Sequence, residues 1–252
     1  MRIEKSKYYD DKFYEVVTRS AIQSGEILIP IIQEVFKITS VLDVGCGQGG
    51  WLKSWLNNNV DNIYGIDGNY VDLNKLAVPR EYFYPADLSR PLNLNKQFDL
   101  VQSLEVAEHI GENYDDVFID NIVRHGKLVM FSAAYPGDGG ADHINEKPFS
   151  YWQKKFLDRG YFMYDYVRPK LKNNKEIEYW YRYNTFLYIH NSITHTLPQA
   201  IKSLEIKDNQ AIPLVSPFGY RVRSKIISKL SVSLITRLAR LKTLLLILKH
   251  KF

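Results

Sequence analysis

Val41-Leu42-Asp43-Val44-Gly45-Cys46-Gly47-Gln48-Gly49-Gly50 is the stretch whose reading decides the fold of this chain. Residues 40–44 have the apolar run of a short buried strand. A glycine-rich turn follows at once, and Trp51 to Asn57 has helical spacing. Glycine tolerates φ > 0 and lets the backbone approach a ligand with no Cβ in the way. The N–H groups of such a turn and of the helix start behind it form a surface for polar ligand groups. Asp43 stands just before the first glycine. A carboxylate there repels a pyrophosphate but accepts hydrogen bonds from an ammonium or a hydroxyl.

Downstream, strands and helices alternate. Asn62 to Ile66 reads as the second strand and ends at Asp67-Gly68. An acid at that strand tip, about 20 residues past the glycine turn, is placed to hold both hydroxyls of a ribose, or else to cap the next helix. A short third strand around Tyr82–Tyr84 leads to Asp87-Leu88, and Phe98–Ser103 and Lys127–Ser132 read as the fourth and fifth. Tyr114–His125 and Phe149–Leu157 have helical character, and Tyr161–Arg168 with Tyr183–His190 read as a hairpin-like antiparallel pair. The expectation is an α/β fold with a seven-stranded, mostly parallel sheet, helices on both faces and an antiparallel last strand. Gly45, Asp67, Asp87 and Ser103 then fall at carboxyl ends of strands, where ligands of such sheets bind. Residues 1–38 are expected to form a helical cap: Tyr8 to Arg19 as a lid or an edge helix, then Ile27 to Phe36 as a second helix with Pro30 near its first turn. Residues 39–192 form the main domain and 193–252 an extension.

The run Asp43-Val44-Gly45-Cys46-Gly47-Gln48-Gly49 resembles the first motif of the class I S-adenosylmethionine (SAM) methyltransferases. The resemblance implies a Rossmann-like fold and SAM as cofactor, a ligand with an ammonium group and no phosphate. It places Asp43, Gly45, Gly47, Asp67, Gly68, Asp87, Leu88 and Ser103 around that ligand, with Asp87 accepting from the adenine amino group and the Leu88 N–H reaching the ring. A plain turn-forming Asp87 ahead of Ser89-Arg90-Pro91 is the alternative. A nicotinamide dinucleotide enzyme shares the ribose acid, but the glycine spacing and Asp43 argue against it.

Beyond the fourth strand the chain reads Glu105-Val106-Ala107-Glu108-His109. If a helix starts here, Glu105, Glu108 and His109 share one face. Two such acids repel each other unless a cation lies between them, and oxygen ligands with imidazole suit Mg²⁺, Mn²⁺ or Fe²⁺. His143, in the loop after the fifth strand, is the candidate fourth ligand. The alternatives are that the acids serve packing or helix-start electrostatics and that His143 orders its own loop. Glu-x-x-Glu-His with a distant His resembles the metal site of the small-RNA 2′-O-methyltransferases and the ubiquinone-pathway O-methyltransferases. The text from Ser132-Ala133-Ala134 through Gly139 to Asn145, then Tyr151-Trp152, looks like the methyltransferases of bacterial capsule and surface-polysaccharide genes. Together these imply an O-methyltransferase that uses a divalent cation, magnesium or manganese, on a sugar or nucleotide-sugar hydroxyl. His109 or His143 would take the proton. Another vicinal-diol or catechol-like acceptor is the alternative, as is a non-catalytic subunit.

Of the net charge of +5, nine positive and no negative side chains lie beyond Asp208, which leaves the first 208 residues at −4. An acidic body gives no general nucleic-acid surface. The tail alternates cations with Ile226, Ile227, Leu230, Leu234, Ile235 and Leu238 at helical spacing. That pattern suits an anionic membrane surface, a partner protein or a second copy, and the tail is expected to lie outside the catalytic fold. The single cysteine, Cys46, excludes a disulfide framework and reads as a small packing residue. The charged first residues, without an apolar run, and the absence of a long uncharged stretch set the expectation of a cytoplasmic protein.

Overall fold

The structure is a computed structural model that describes residues 11–249, with the side chains of residues 15–239 and 241. The strands are β1 (Ser40–Val44), β2 (Asn62–Asp67), β3 (Phe83–Pro85), β4 (Leu100–Leu104), β5 (Leu128–Ser132), β6 (Tyr161–Tyr164), β7 (Phe186–His190) and β8 (Glu205–Ile206). The helices are α1 (Asp11–Gln33), α2 (Gly50–Asn57), α3 (Asp115–Val123), α4 (Phe149–Leu157), α5 (Val167–Leu171), α6 (Tyr179–Asn184), α7 (Gln199–Lys202), α8 (Phe218–Ile227) and α9 (Val232–Lys249).

One sheet runs in the order β3-β2-β1-β4-β5-β7-β6-β8. β1, β2, β3, β4 and β5 are parallel, and β5–β7, β7–β6 and β6–β8 pair antiparallel. β1, β4 and β5 are buried along their whole length, which is why their sequences read as continuous apolar runs rather than alternating ones. β1 and β4 are pinned at their starts by Asp99, whose Oδ2 accepts from Thr39 N, Thr39 Oγ1 and Ser40 N. One core packs α1 and α2 on the sheet through Leu28, Ile29, Ile32, Leu52 and Trp55. A second, on the other face, packs α3 and α4 through Phe118, Ile119, Ile122, Trp152 and Phe156.

The α/β architecture with its mostly parallel sheet and antiparallel last strands is as expected. The strand count is eight rather than seven, because two-residue β8 adds to the free edge of β6, a pairing too short to leave a sequence pattern. β6 and β7 do pair, but α5 and α6 intervene, so they are not a hairpin. Residues expected as two N-terminal helices form one, α1, with Pro30 in its last turn. There the missing N–H breaks a single bond near the helix end. Tyr8, the start of the expected lid, lies outside the described residues.

The largest departure is the tail. α8 and α9 do not stand clear of the fold. A Cβ on Gly137 would lie 2.0 Å from the Ser224 carbonyl oxygen, and Gly139 faces Ile227 and Ile235. Tyr220 Oη donates to Asp138 Oδ1 (2.8 Å), Arg223 to the Asp138 carbonyl (3.2 Å), and Asp142 N to Thr236 Oγ1 (3.3 Å). The basic tail thus clasps the loop between β5 and α4. Among the described residues no helix is long and apolar enough to cross a membrane.

Candidate active site

The glycine turn takes its shape from positive φ at Gly45 (86°), Gly47 (54°) and Gly49 (79°). The Gly45 and Cys46 N–H groups bond to the Ile66 carbonyl (2.8 and 3.2 Å), so the turn is tied to the end of β2. Asp67 closes this link. Its Oδ2 accepts from Gly47 N (2.7 Å), and its Oδ1 accepts from Gly68 N (2.6 Å) and Tyr70 Oη (2.5 Å). Burial pushes its pKa above the usual carboxylate range despite these donors.

Asp43, at the carboxyl end of β1, is buried with Oδ2 unpartnered. Burial, with the nearby charge of Asp67 adding to it, raises its pKa to about 7. A buried acceptor without a donor is costly, and a ligand ammonium is the group that would satisfy it. On α2, after the glycine turn, Trp51 meets Tyr181 edge to face, with ring centroids 5.0 Å apart.

Two expected cofactor residues are engaged locally. Ser103 is fully buried and its hydroxyl donates to the Val44 carbonyl (2.8 Å), bridging β4 to β1 rather than facing the cleft. Asp87 accepts from Ser89 N (3.0 Å) and Ser89 Oγ (2.5 Å) and pairs with Arg90 (3.3 Å), a turn arrangement on the surface that holds its carboxyl below the usual range. Leu88 is buried next to it.

The second constellation forms differently from the expected helix. Glu105 has φ +58° and the chain then makes only a 3₁₀ turn, Ala107–His109. As a result Glu105 does not join the group. Ligand atoms of Glu108, His109 and His143 lie within 4.8 Å of one another, and Glu105 is not among them. Burial first, then the charges of Glu108 and Asp138, push the Glu105 carboxyl well above its usual range.

Backbone bonds bring the three together. Ile144 N and Asn145 N both donate to the Glu108 carbonyl (2.9 and 3.0 Å), which docks the loop carrying His143 onto the 3₁₀ turn. His109 Nδ1 lies 3.2 Å from the Asp142 carbonyl and His143 Nδ1 3.0 Å from Glu146 Oε1. Those acceptors place a proton on Nδ1 of each ring and leave Nε2 as the free nitrogen, the second-sphere arrangement that orients metal-binding imidazoles. Glu146 is itself held by Gly137 N (2.8 Å) and Gly139 N (3.0 Å). Burial lowers the pKa of His109. For His143 burial is outweighed by Glu146 and the nearby acids, and its pKa is raised. Glu108 is 1% exposed and its Oε2 has no partner. A buried carboxylate oxygen without a donor beside two free imidazole nitrogens fits a divalent cation.

Sequence reasoning does not find Glu146 or Asp138. The spacing of Glu146, three residues after His143, is a readable signal. That of Asp138 is not, because its partners Asn184 and Tyr220 are remote in the chain.

The fold and this site define a methyltransferase of the class I type. The family model described as methyltransferase domain matches residues 20–194, more than half of the chain, and the chain belongs to that SAM-dependent family. A tRNA U34 carboxymethyltransferase from Pseudomonas savastanoi pv. phaseolicola is 33% identical over 110 residues, covering 39% of this chain and 34% of that protein. The chain thus spans about a third of the length of the curated relatives it matches. Among solved structures, DesVI of Streptomyces venezuelae superposes with TM-score 0.54 at 13% identity, over 75% of this chain and all of that one (100%). A SAM-dependent methyltransferase from Clostridium acetobutylicum gives 0.51 at 15%, over 71% and 96%. At these identities they bear on the fold.

Two predictions concern the donor. Asp67→Ala should weaken SAM binding by roughly 1.5–3 kcal/mol, as loss of hydrogen bonds to a charged group does; unchanged calorimetric affinity would remove Asp67 from the site. Asp43 gives a pH dependence. Its folded pKa is raised, so its contribution to ligand-free stability is present below the ordinary carboxylate range and is lost as pH rises through about 7. Binding a cationic amine needs the carboxylate, so below about pH 7 binding must expel a proton. SAM affinity should therefore fall by up to about tenfold per unit below that point, and Asp43→Asn should bind weakly with no such slope. A flat profile in the wild type would show that Asp43 does not meet the ligand's charge.

Proposed function

We propose that this protein transfers the methyl group of SAM to a hydroxyl of a sugar, in a nucleotide-linked sugar or a surface-polysaccharide precursor. The observation that carries it is the pairing of two sites at neighbouring strand ends. The glycine turn with Asp43 and Asp67 offers acceptors for an ammonium and a ribose, while Glu108, His109 and His143 gather beside the next strand. In this reading Gly45, Gly47 and Gly68 carry the backbone surface for the donor, and Asp87 and Leu88 flank its adenine.

Glu108, His109 and His143 would hold a divalent cation, which when bound supplies charge that lowers the pKa of a neighbouring hydroxyl. The chain's own residues do the rest. Glu146 fixes the His143 ring and the Asp142 carbonyl fixes His109. Burial holds the pKa of His109 down, which keeps unprotonated the nitrogen that would meet the cation. Alignment of donor and acceptor within near-attack distance provides much of the rate.

A tRNA acceptor is the second reading, favoured by what the Pseudomonas relatives are called and by the basic tail. The net −4 of the first 208 residues favours the sugar. The outer face of the tail would then rest on an anionic membrane surface at the cytoplasmic side. Exposed Phe218, Ile226, Val232 and Leu238 among cations, with no acid after Asp208, support that contact. The test is methyl transfer from labelled SAM to a panel of nucleotide sugars, a catechol and unmodified tRNA. Transfer to tRNA alone would replace the sugar reading with the second one.

A further inference from the structure

α8 is amphipathic in the unusual sense. Three of its apolar residues, Phe218 (74% exposed), Val222 (42%) and Ile226 (60%), point to solvent, whereas Ile227 faces Gly139. Its polar residues Arg221, Ser224 and Lys225, at i, i+3 and i+4, line a cavity of about 380 Å³. The aromatic residues Tyr135, Phe149 and Tyr183 line the same cavity. A volume of that order is enough for a small ligand, whose usual sites start at about 300 Å³.

Three features of the wall ask for an anion. Arg221 and Lys225 are exposed like charges one helical turn apart, an arrangement unfavourable to a helix by itself; Arg221 lies over the Phe218 ring (6.0 Å to the centroid), and neither has a carboxylate at salt-bridge distance among the described residues. Ser224 is 7% exposed and its Oγ has no hydrogen-bond partner. The one acid in the lining, Asp138, already accepts from Tyr220 Oη, Tyr135 N and Asn184 Nδ2 (2.8, 3.0 and 2.9 Å). Asp138 also relates the cavity to the candidate active site, since its neighbours Gly137 and Gly139 donate to Glu146, which in turn holds the His143 ring.

We propose that this cavity is the acceptor's binding site and takes a sugar that carries an anionic group, phosphate or carboxylate. That group lies between Arg221 and Lys225 with Ser224 donating to it, and the sugar ring lies on the aromatic residues of the lining, whose ring faces attract polarised C–H groups. This rests on the sugar-methylation reading but can fail separately from it.

Calorimetry on the full chain with glucose 1-phosphate, glucuronate and glucose tests it. Binding of at least one anionic sugar, with glucose at least tenfold weaker, is expected; which of the two binds identifies the anion as phosphate or carboxylate. Arg221→Ala with Lys225→Ala should lower that affinity at least tenfold and Ser224→Ala several-fold, while SAM affinity stays as in the wild type and reports an intact fold. Equal binding of glucose, no binding of either anionic sugar at millimolar concentration, or wild-type affinity in the double variant would overturn the proposal. Anionic-sugar binding lost in the double variant, with no methyl transfer to any sugar, would uphold the cavity and overturn the reaction. Transfer to sugars at the wild-type KM in the double variant would do the reverse.

Discussion

His143→Ala is expected to abolish methyl transfer while leaving SAM affinity unchanged, and excess chelator should do the same to the wild type, with Mg²⁺ or Mn²⁺ restoring activity. The separation follows from position. The acceptors proposed for the donor, Asp43 and Asp67, end β1 and β2, whereas His143 arrives from the loop after β5. Glu108→Gln should remove transfer as well, because it deletes the buried carboxylate that faces both imidazoles. Glu146→Gln keeps every candidate ligand but loosens the His143 ring, and the loss should be on the order of 10–100-fold. Mn²⁺ binding measured by calorimetry gives a readout independent of turnover and should weaken in the same order across the variants. Glu105→Gln, by contrast, should leave Mn²⁺ affinity near that of the wild type, since Glu105 stands outside the group. Full transfer in excess chelator, or Mn²⁺ affinity untouched by His143→Ala, would defeat the metal site.

The donor side is legible in the sequence because it is local. A strand, a turn that needs φ > 0 and a helix start lie within a dozen or so residues, and glycine at 45, 47 and 49 marks where the backbone must turn. Strand-end acids follow from topology, so the strand pattern alone is enough to place Asp43 and Asp67. The acceptor side is half legible. His143 is found from its strand end, yet the helix expected at Glu105 is a 3₁₀ turn behind a residue at φ +58°, which removes the i, i+4 geometry that would have brought Glu105 into the group. Ser103 shows the same limit, since nothing in sequence says that its hydroxyl turns inward to Val44. The tail misleads for a further reason. A helix rich in cations looks like a solvent or membrane helix, and only tertiary contacts to Gly137, Asp138 and Asp142 show that one face closes on the protein.

Those contacts set the second large effect. Removing residues 218–252 should reduce Mn²⁺ affinity at least tenfold and transfer with it, because α8 and α9 hold the loop that bears His143, and ligand-orienting contacts carry effects of that order. A single substitution should show the same coupling. Gly137→Ala introduces a side chain at φ +88°, where a non-glycine residue costs about 1–3 kcal/mol. Its Cβ would also lie 2.0 Å from the Ser224 carbonyl, so α8 must move away. Hydrogen exchange over residues 135–146 should rise and Mn²⁺ affinity fall in this variant. SAM binding, which we propose at the ends of β1 and β2 on the other side of β4, should change little. Tyr220→Phe removes only the bond to Asp138 and should have a smaller effect in the same direction. If the truncated chain and Gly137→Ala both keep wild-type exchange rates in the loop and wild-type Mn²⁺ affinity, the tail does not clasp the site, and its charge must be explained by what its outer face meets.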